Sequence, residues 1–435
     1  MTLDPQAKTL NEVIQETVPL IYDLLSNKGR AIHFPNKGIL AQAADAKGKK
    51  INATIGIGLE EDGSPMALET IAGRIRLNKK EVFPYAGSFG IAELRHAWKQ
   101  QMLEKNPTLS PERITLPVVT TGVTHALSMA GYLFVNPGDR LITPDLFWGN
   151  YRLIFEKAYD ALFETFPAFA GEGFNVNGLR DALMAGGVGK KIVLLNFPNN
   201  PTGYTPTETE AEKIIQAIRQ SAEAGNRLAV LIDDAYFGLI YEKDVLNESL
   251  FSRLATLHSN VLAVKIDGAT KEDFAWGLRV GFITYGHPSM TPESAKALEE
   301  KTAGAIRGNI SNTSHLSQSL ILNATHDIDY PQQKKEKKAL LKQRYETVKK
   351  ILDYHPDYKV YFKALPFNSG YFMCVELQDE LDGEAIRQKL LKEFDMGVIA
   401  FGKLLRIAFS SVPMKDLPTL FDAVFNACKS YNKQN

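Results

Sequence analysis

The sequence predicts an α/β fold: a mixed, mostly parallel sheet with helices on both faces, joined to a smaller α+β domain. Three observations predict it. From about residue 114, six short β-rich runs recur: ITLPVVT, DRLITPD, KIVLLNF, LAVLIDD, NVLAVKID and VGFITYG. Helical stretches such as THALSMAGYLF and ETEAEKIIQAIRQSAEAG separate several of them. Apolar strands divided by helices mark a sheet buried on both faces. The chain has 435 residues, 44% of them hydrophobic, which is too long for one minimal core and fits two or three packed units.

Taken in order, residues 10–26 alternate apolar and polar at helical spacing, with Pro19 set to interrupt the helix. FPNKGILAQAADAKGKK reads as a turn and a short second helix, and INATIGIGLEEDGSPM as a short extended piece and a glycine-rich turn. EVFPYAGSFGIAELRHAWKQQMLEK is a loop, then a helix beginning near Gly90. The α/β region ends near residue 330. QQKKEKKALLKQRYETVKKILDYH is a long charged helix whose lysines are expected to form a solvated face. KVYFKAL, GYFMCVEL and LLRIAFSSV read as strands, AIRQKLLKEF and LPTLFDAVFNACKSYN as helices. The expected division is a large domain over residues 76–330, with residues 1–75 joining 331–435 in the smaller unit.

Fifty basic residues balance fifty acidic ones, which argues against a dedicated nucleic-acid binder. Two cysteines, Cys374 and Cys428, cannot make a disulfide framework. The opening MTLDPQAKTLNEV has no apolar signal core, and no apolar run approaches the ~18 residues of a membrane span. A cytoplasmic enzyme with no membrane partner is the expectation. The eight histidines are scattered without HExxH, and CxxC is absent, so no metal is expected. GxSxG, GxGxxG and GxxxxGK[ST] are absent as well.

Four strand ends finish in polar or glycine-rich sequence: TTGVTHAL, NFPNNPTG, DDAYFG and DGATKEDFAWGLR. Ligands collect beyond the carboxyl ends of strands in such sheets. Gly122, Val123 and Thr124 open a helix whose free N–H groups suit a phosphate, although an ordinary N-cap reads the same way. Lys271 follows a strand and a short loop, where an amine of lowered pKa could form a Schiff base with an aldehyde cofactor; a surface lysine is the plainer alternative. Arg279, between Gly277 and Gly281, could hold the same phosphate. Asp233 ends an apolar strand and needs a partner. A pyridine nitrogen would serve, with Tyr236 and Asn200 bonding the ring's phenolic oxygen. Trp148 and Phe147 both offer a face for stacking on a heteroaromatic ring, and both could be core residues. Arg406, in an apolar strand, is either structurally paired or aimed at a carboxylate.

Together these segments resemble the class I/II aminotransferases, the fold-type I enzymes dependent on pyridoxal 5'-phosphate. The likeness runs over residues 50–410 and is strongest toward the aspartate and aromatic amino acid branch. It implies a three-layer large domain and a smaller domain. INATIGIGLEEDGSP resembles the family's early glycine signature and places Gly56 against substrate; YAGSFGIAELR implies that Tyr85 crosses a dimer interface to the other subunit's cofactor phosphate. PDLFWGN implies Trp148 as the stacking aromatic, NNPTG implies Asn200, and DDAY implies Asp233 and Tyr236. TKEDFAWGLRVG implies Lys271 for the Schiff base, with Thr270 and Arg279 at the phosphate, and LLRIAF implies Arg406 for the α-carboxylate. IRGNISNTS resembles the segment whose arginine binds a distal carboxylate from the partner subunit, here Arg307.

The implied activity is transfer of an amino group from an L-amino acid to a 2-oxo acid by ping-pong chemistry, on acidic or aromatic substrates, in a homodimer. A β-lyase, a decarboxylase or a non-catalytic cofactor-binding protein are the alternatives on the same scaffold. One departure stands out: the family commonly has a hydroxyl residue three positions before the lysine, and this chain has Gly268.

Overall fold

The computed structural model of the protein describes residues 3–33 and 38–431. The turn expected over residues 34–37 lies outside the described residues. Seven strands form the main sheet: β1 (Val118–Thr120), β2 (Arg140–Pro144), β3 (Leu162–Phe166), β4 (Lys190–Asn196), β5 (Arg227–Asp233), β6 (Val261–Asp267) and β7 (Gly281–Gly286). Their order is β1-β7-β6-β5-β4-β2-β3, and β7 alone runs antiparallel to its neighbours.

Alternation along the strands explains the layers. Val193, Leu195, Val230 and Ile232 face one helical layer, whereas Ile192, Leu194 and Leu231 face the other. Both sets are apolar because both faces are covered, so these strands read as continuous hydrophobic runs. The same alternation sends Asp233 to the Leu231 face and Asp234 to the opposite one. Asp234 there pairs with the buried Lys265 and accepts from Ser249 Oγ at 2.5 Å. Asn196 is in register with Asp233, so both polar side chains emerge on one face at the sheet's carboxyl edge.

The helices follow their sequence signals. Pro19 divides α1 (Pro5–Thr17) from α2 (Pro19–Leu24). α3 (Ala92–Lys105) begins two residues after Gly90. α4 (Gly122–Phe134) opens directly from β1. A capping box of Thr207 and Glu210 starts α5 (Glu208–Glu223), α6 (Pro292–Asn309) follows β7, and α7 (Tyr330–Tyr354) leads to the second sheet. That sheet is antiparallel: β8 (Phe362–Ala364), β9 (Met373–Leu377), β10 (Ile399–Phe401) and β11 (Leu404–Ile407), in the order β8-β9-β11-β10. Ile51–Asn52 pairs in parallel with Met396–Gly397, and Gln42 exchanges two hydrogen bonds with Ala400 of β10.

Two features depart from the sequence reading. β3 lies at the sheet edge, half-exposed, and had no apolar run to announce it. The lysines of α7 do not all lie on a solvated face. Lys334 is drawn inward by Glu272 and Asp273, and Arg344 is fully buried against Glu61 and the Ser410 carbonyl. These long-range ion pairs attract basic side chains that local composition assigns to water. No helix among the described residues is long and apolar enough to cross a membrane.

Replacing Lys265 with alanine strands the buried Asp234 carboxylate. Chemical denaturation is expected to show a loss of about 3–5 kcal/mol, the usual cost of an orphaned buried charge.

Candidate active site

A cavity of about 380 Å³ opens at the carboxyl edge of the main sheet, between it and the smaller sheet. Its wall includes Gly56, Val123, Thr124, Trp148, Asn200, Asp233, Tyr236, Thr270, Lys271, Arg279 and Arg406. Eleven of the residues singled out from the sequence are therefore gathered in one place, from six loop segments and the second sheet.

One end is made of backbone. Gly122 has φ +74°, and its bare Cα lets the Arg279 guanidinium approach; a Cβ there would sit 2.6 Å from Nη2. Gly281 is equally constrained, since a Cβ would meet the Gly122 carbonyl carbon at 2.5 Å. Thr121 N–H donates to His125 Nδ1 at 3.1 Å, which fixes the turn into α4. His125 thus supports the loop from behind. The Thr270 hydroxyl is buried without a protein partner. A helix N-terminus, an arginine and an unsatisfied hydroxyl converge here, the donor set an anion requires.

Gly268 acquires a physical reason. A Cβ at this position would lie 2.6 Å from the Val280 carbonyl oxygen and 2.9 Å from Gly281 Cα. The β6–β7 turn is packed too closely for a hydroxyl side chain, so Thr270 is left as the hydroxyl donor on this segment.

Across the cavity, Asp233 is buried. Its Oδ1 accepts from Ala235 N–H at 3.0 Å and its Oδ2 from the Tyr151 hydroxyl at 2.5 Å. Burial pushes its pKa up to about 6, against the lowering effect of those hydrogen bonds. Lys271 Nζ donates to the Gly56 carbonyl at 2.8 Å and lies 4.9 Å from the Tyr236 ring centre. The Tyr371 hydroxyl holds the Lys271 carbonyl at 2.7 Å. Burial, then the charges of Arg406 and Arg279, push the Lys271 amine down to about 7. Burial raises the Tyr236 phenol, so it remains protonated and able to donate.

Arg406 reaches the cavity from β11. Nη1 donates to Asn200 Oδ1 at 3.1 Å and Nη2 to the Thr54 carbonyl at 3.0 Å, with Phe372 stacked at 4.3 Å. Its Nε has no partner among the described residues. Asn200 thereby turns its oxygen toward the guanidinium. Trp148 lines the cavity, whereas Phe147 packs against Tyr151 and Phe163.

Tyr85 and Arg307 stand outside. Tyr85 is 88% exposed, and among the described residues Arg307 bonds Ser311 Oγ at 2.8 Å. They share a surface, because His315 bonds the Pro84 carbonyl and Ser88 bonds the Ser311 carbonyl, both at 2.8 Å. Sequence reasoning missed Tyr151, Tyr371, Phe372 and Trp276. Tyr151 follows Trp148 by three residues, one turn on, and that spacing was its only signal. Tyr371 and Phe372 were hidden in the apolar run that leads into β9.

Introducing serine at Gly268 forces its Cβ into the β7 backbone. A loss of about 1–3 kcal/mol in thermal or urea unfolding is expected, with no gain in anion affinity from the added hydroxyl.

Known proteins share this architecture. An aminotransferase from Anaerococcus prevotii superposes with a TM-score of 0.80 at 23% identity, covering 93% of this chain and 99% of that one. A Thermus thermophilus aspartate aminotransferase solved with maleate gives 0.74 at 19% identity, with the same coverages of 93% and 99%. Among curated sequences, an aspartate aminotransferase of Thermotoga maritima is 28% identical over 250 residues, 56% of this chain and 60% of that protein. A probable N-acetyl-LL-diaminopimelate aminotransferase of Bacillus subtilis is 26% identical over 249 residues, 56% of each. The chain thus spans less than two thirds of the length of these curated relatives. The family model for aminotransferase class I and II matches residues 49–424, which hold the cavity lining apart from Ile39 and Ala43, and the chain belongs to that family.

Proposed function

We propose that this protein is a pyridoxal-phosphate-dependent aminotransferase that moves an amino group from an L-amino acid to a 2-oxo acid in two half-reactions, with acidic or aromatic substrates. The observation that carries the proposal is the Lys271 amine, brought to about 7 in the cavity it shares with Asp233 and Arg406.

The donor set fits the cofactor. Thr270 Oγ1 is an unpartnered buried hydroxyl, and the Gly122 turn and Arg279 form a cradle that a Cβ would fill. These groups, with the N–H groups of Val123 and Thr124, would hold the phosphate. Asp233 would hold the ring nitrogen, Trp148 would stack on the ring, and Tyr236 and Asn200 would flank its oxygen. When bound, pyridoxal phosphate supplies an electrophilic carbon for amines and a ring that takes up electron density from the substrate's α-carbon.

The chain's own residues do the rest. Above about pH 7 the Lys271 Nζ is largely neutral, so it would be able to condense with an aldehyde carbon with loss of water and, once a substrate amine has displaced it, to accept the α-proton. Arg406 receives the α-carboxylate, with Nε free and Phe372 shielding one face of the guanidinium. Tyr236 donates a hydrogen bond as a neutral phenol.

The proposal includes a homodimer and the division into residues 76–330 and a smaller unit of 1–75 with 331–435. The pairing of Ile51–Asn52 with Met396–Gly397 supports the division. Tyr85, Arg307, Phe83 and Ile310 form an exposed surface that a twofold partner would cover, carrying Tyr85 and Arg307 to the neighbouring cavity. The preference for acidic substrates rests on Arg307 and on the aspartate aminotransferases among the relatives.

The decisive experiment supplies the protein with pyridoxal phosphate, an amino acid panel and 2-oxoglutarate, and detects products. Oxo acid and glutamate are expected, with kcat lowered about a hundredfold or more in Lys271→Ala. Pyruvate with ammonia in their place would overturn transamination. Arg307→Ala is expected to raise KM for dicarboxylic donors about tenfold while sparing neutral ones, and equal losses would remove Arg307 from the site.

The amine itself can be titrated without cofactor. Mass-spectrometric acetylation of Lys271 should show a midpoint near pH 7 rather than the ordinary 10.5, because only the neutral amine reacts. In Arg406→Gln the midpoint should rise, since a cation that disfavours the charged amine is gone.

A further inference from the structure

Tyr151 was assigned no part in the proposed reaction, yet it touches two of the residues expected to hold the cofactor ring. Its hydroxyl donates to Asp233 Oδ2 at 2.5 Å. Its ring meets the Trp148 indole edge-on, centroids 5.7 Å apart, and stacks on Phe147 at 6.2 Å. Tyr151 is 1% exposed and Asp233 2%, so neither has water to fall back on.

Asp233 is otherwise poorly compensated. The groups facing it are Tyr151, the neighbouring Asp234 carboxylate, Lys271 and Tyr236. Asp234 repels it. Lys271 is largely neutral above about pH 7, and Tyr236 is a neutral phenol. Apart from the Ala235 N–H, the phenol of Tyr151 is the hydrogen-bond donor that keeps this buried carboxylate in its anionic form. Burial and the adjacent carboxylate raise the phenol's own pKa, so it gives a hydrogen bond and keeps its proton.

We propose that Tyr151 is a positioning residue that holds Asp233 ionised and oriented for a protonated ring nitrogen while setting the Trp148 indole against the same ring. This rests on the pyridoxal-phosphate reading above, and the hydrogen bond from Tyr151 to Asp233 is specific to it. The phenol acts on the ring only through Asp233 and Trp148.

The test is a double-mutant cycle read by equilibrium pyridoxal phosphate affinity, from tryptophan fluorescence quenching, on the full chain. Tyr151→Phe keeps the ring and removes the hydroxyl. It is expected to weaken binding about tenfold or more, the range for a lost hydrogen bond to a buried charge. In an Asp233→Ala background the same change should cost less than about twofold. Equal losses in both backgrounds would reduce Tyr151 to packing and overturn the proposal, as would unchanged affinity in the single variant. The acid limb supplies a second readout. Wild-type binding should weaken as pH falls through about 6, where Asp233 takes a proton, and the midpoint should move upward in Tyr151→Phe. A midpoint that stays in place also overturns it. Should Tyr151→Phe fold poorly by circular dichroism, Tyr151→His restores a donor and is expected to recover most of the affinity; no recovery counts against the proposal. If the wild-type protein itself fails to bind pyridoxal phosphate, the cofactor reading fails, a result distinct from every outcome of the cycle.

Discussion

Withdrawing water from an ammonium group while crowding it with cations makes the group give up its proton, and the arrangement around Lys271 depends on this. The cavity removes the water, and Arg406 and Arg279 supply the positive field. Each reaches the amine by a different route. Arg279 comes from the turn just past Lys271. Arg406 comes from the second sheet, more than a hundred residues later, in register with Cys374 and Ile399. Docking the two sheets against each other thus brings the second cation to the buried amine, adding to the effect of burial and of Arg279. Asp233 opposes the trend with a carboxylate that burial has already weakened as an anion.

The other end of the cavity is governed by sterics. Three backbone segments meet at Gly122, Gly268 and Gly281 with less room than a single methyl group requires. Strand β7 runs against its neighbours, and its first residues are pressed into the loop that opens α4. That close approach lets Arg279 lie over the helix start. It also excludes the hydroxyl residue common in related chains at position 268, so the departure in sequence is a consequence of packing.

Much of this was legible from local pattern. The central strands are apolar on both faces, so their runs announce themselves. The edge strand Leu162–Phe166 is half-exposed and carries no such run. Lys334 was misplaced because its partners Glu272 and Asp273 lie far off in sequence, beyond any window of periodicity. Motif likeness singled out Lys271, Asp233, Asn200 and Arg406 and chose Trp148 over Phe147, and all five residues line one cavity. Tyr151 eluded both approaches. Its hydroxyl matters only because an apolar strand and a short helix converge, and neither residue hints at the other.

The tie between Arg406 and Asn200 has a consequence for traffic through the cavity. Both terminal nitrogens of the guanidinium are already engaged, one by the Asn200 amide and one by the Thr54 carbonyl. Those bonds use two of the five guanidinium N–H donors, so an arriving carboxylate can grip the fork through Nε and a second terminal hydrogen while both ties persist. The anion seat is thus built before its occupant comes, its plane set by an asparagine from one layer and a carbonyl from another.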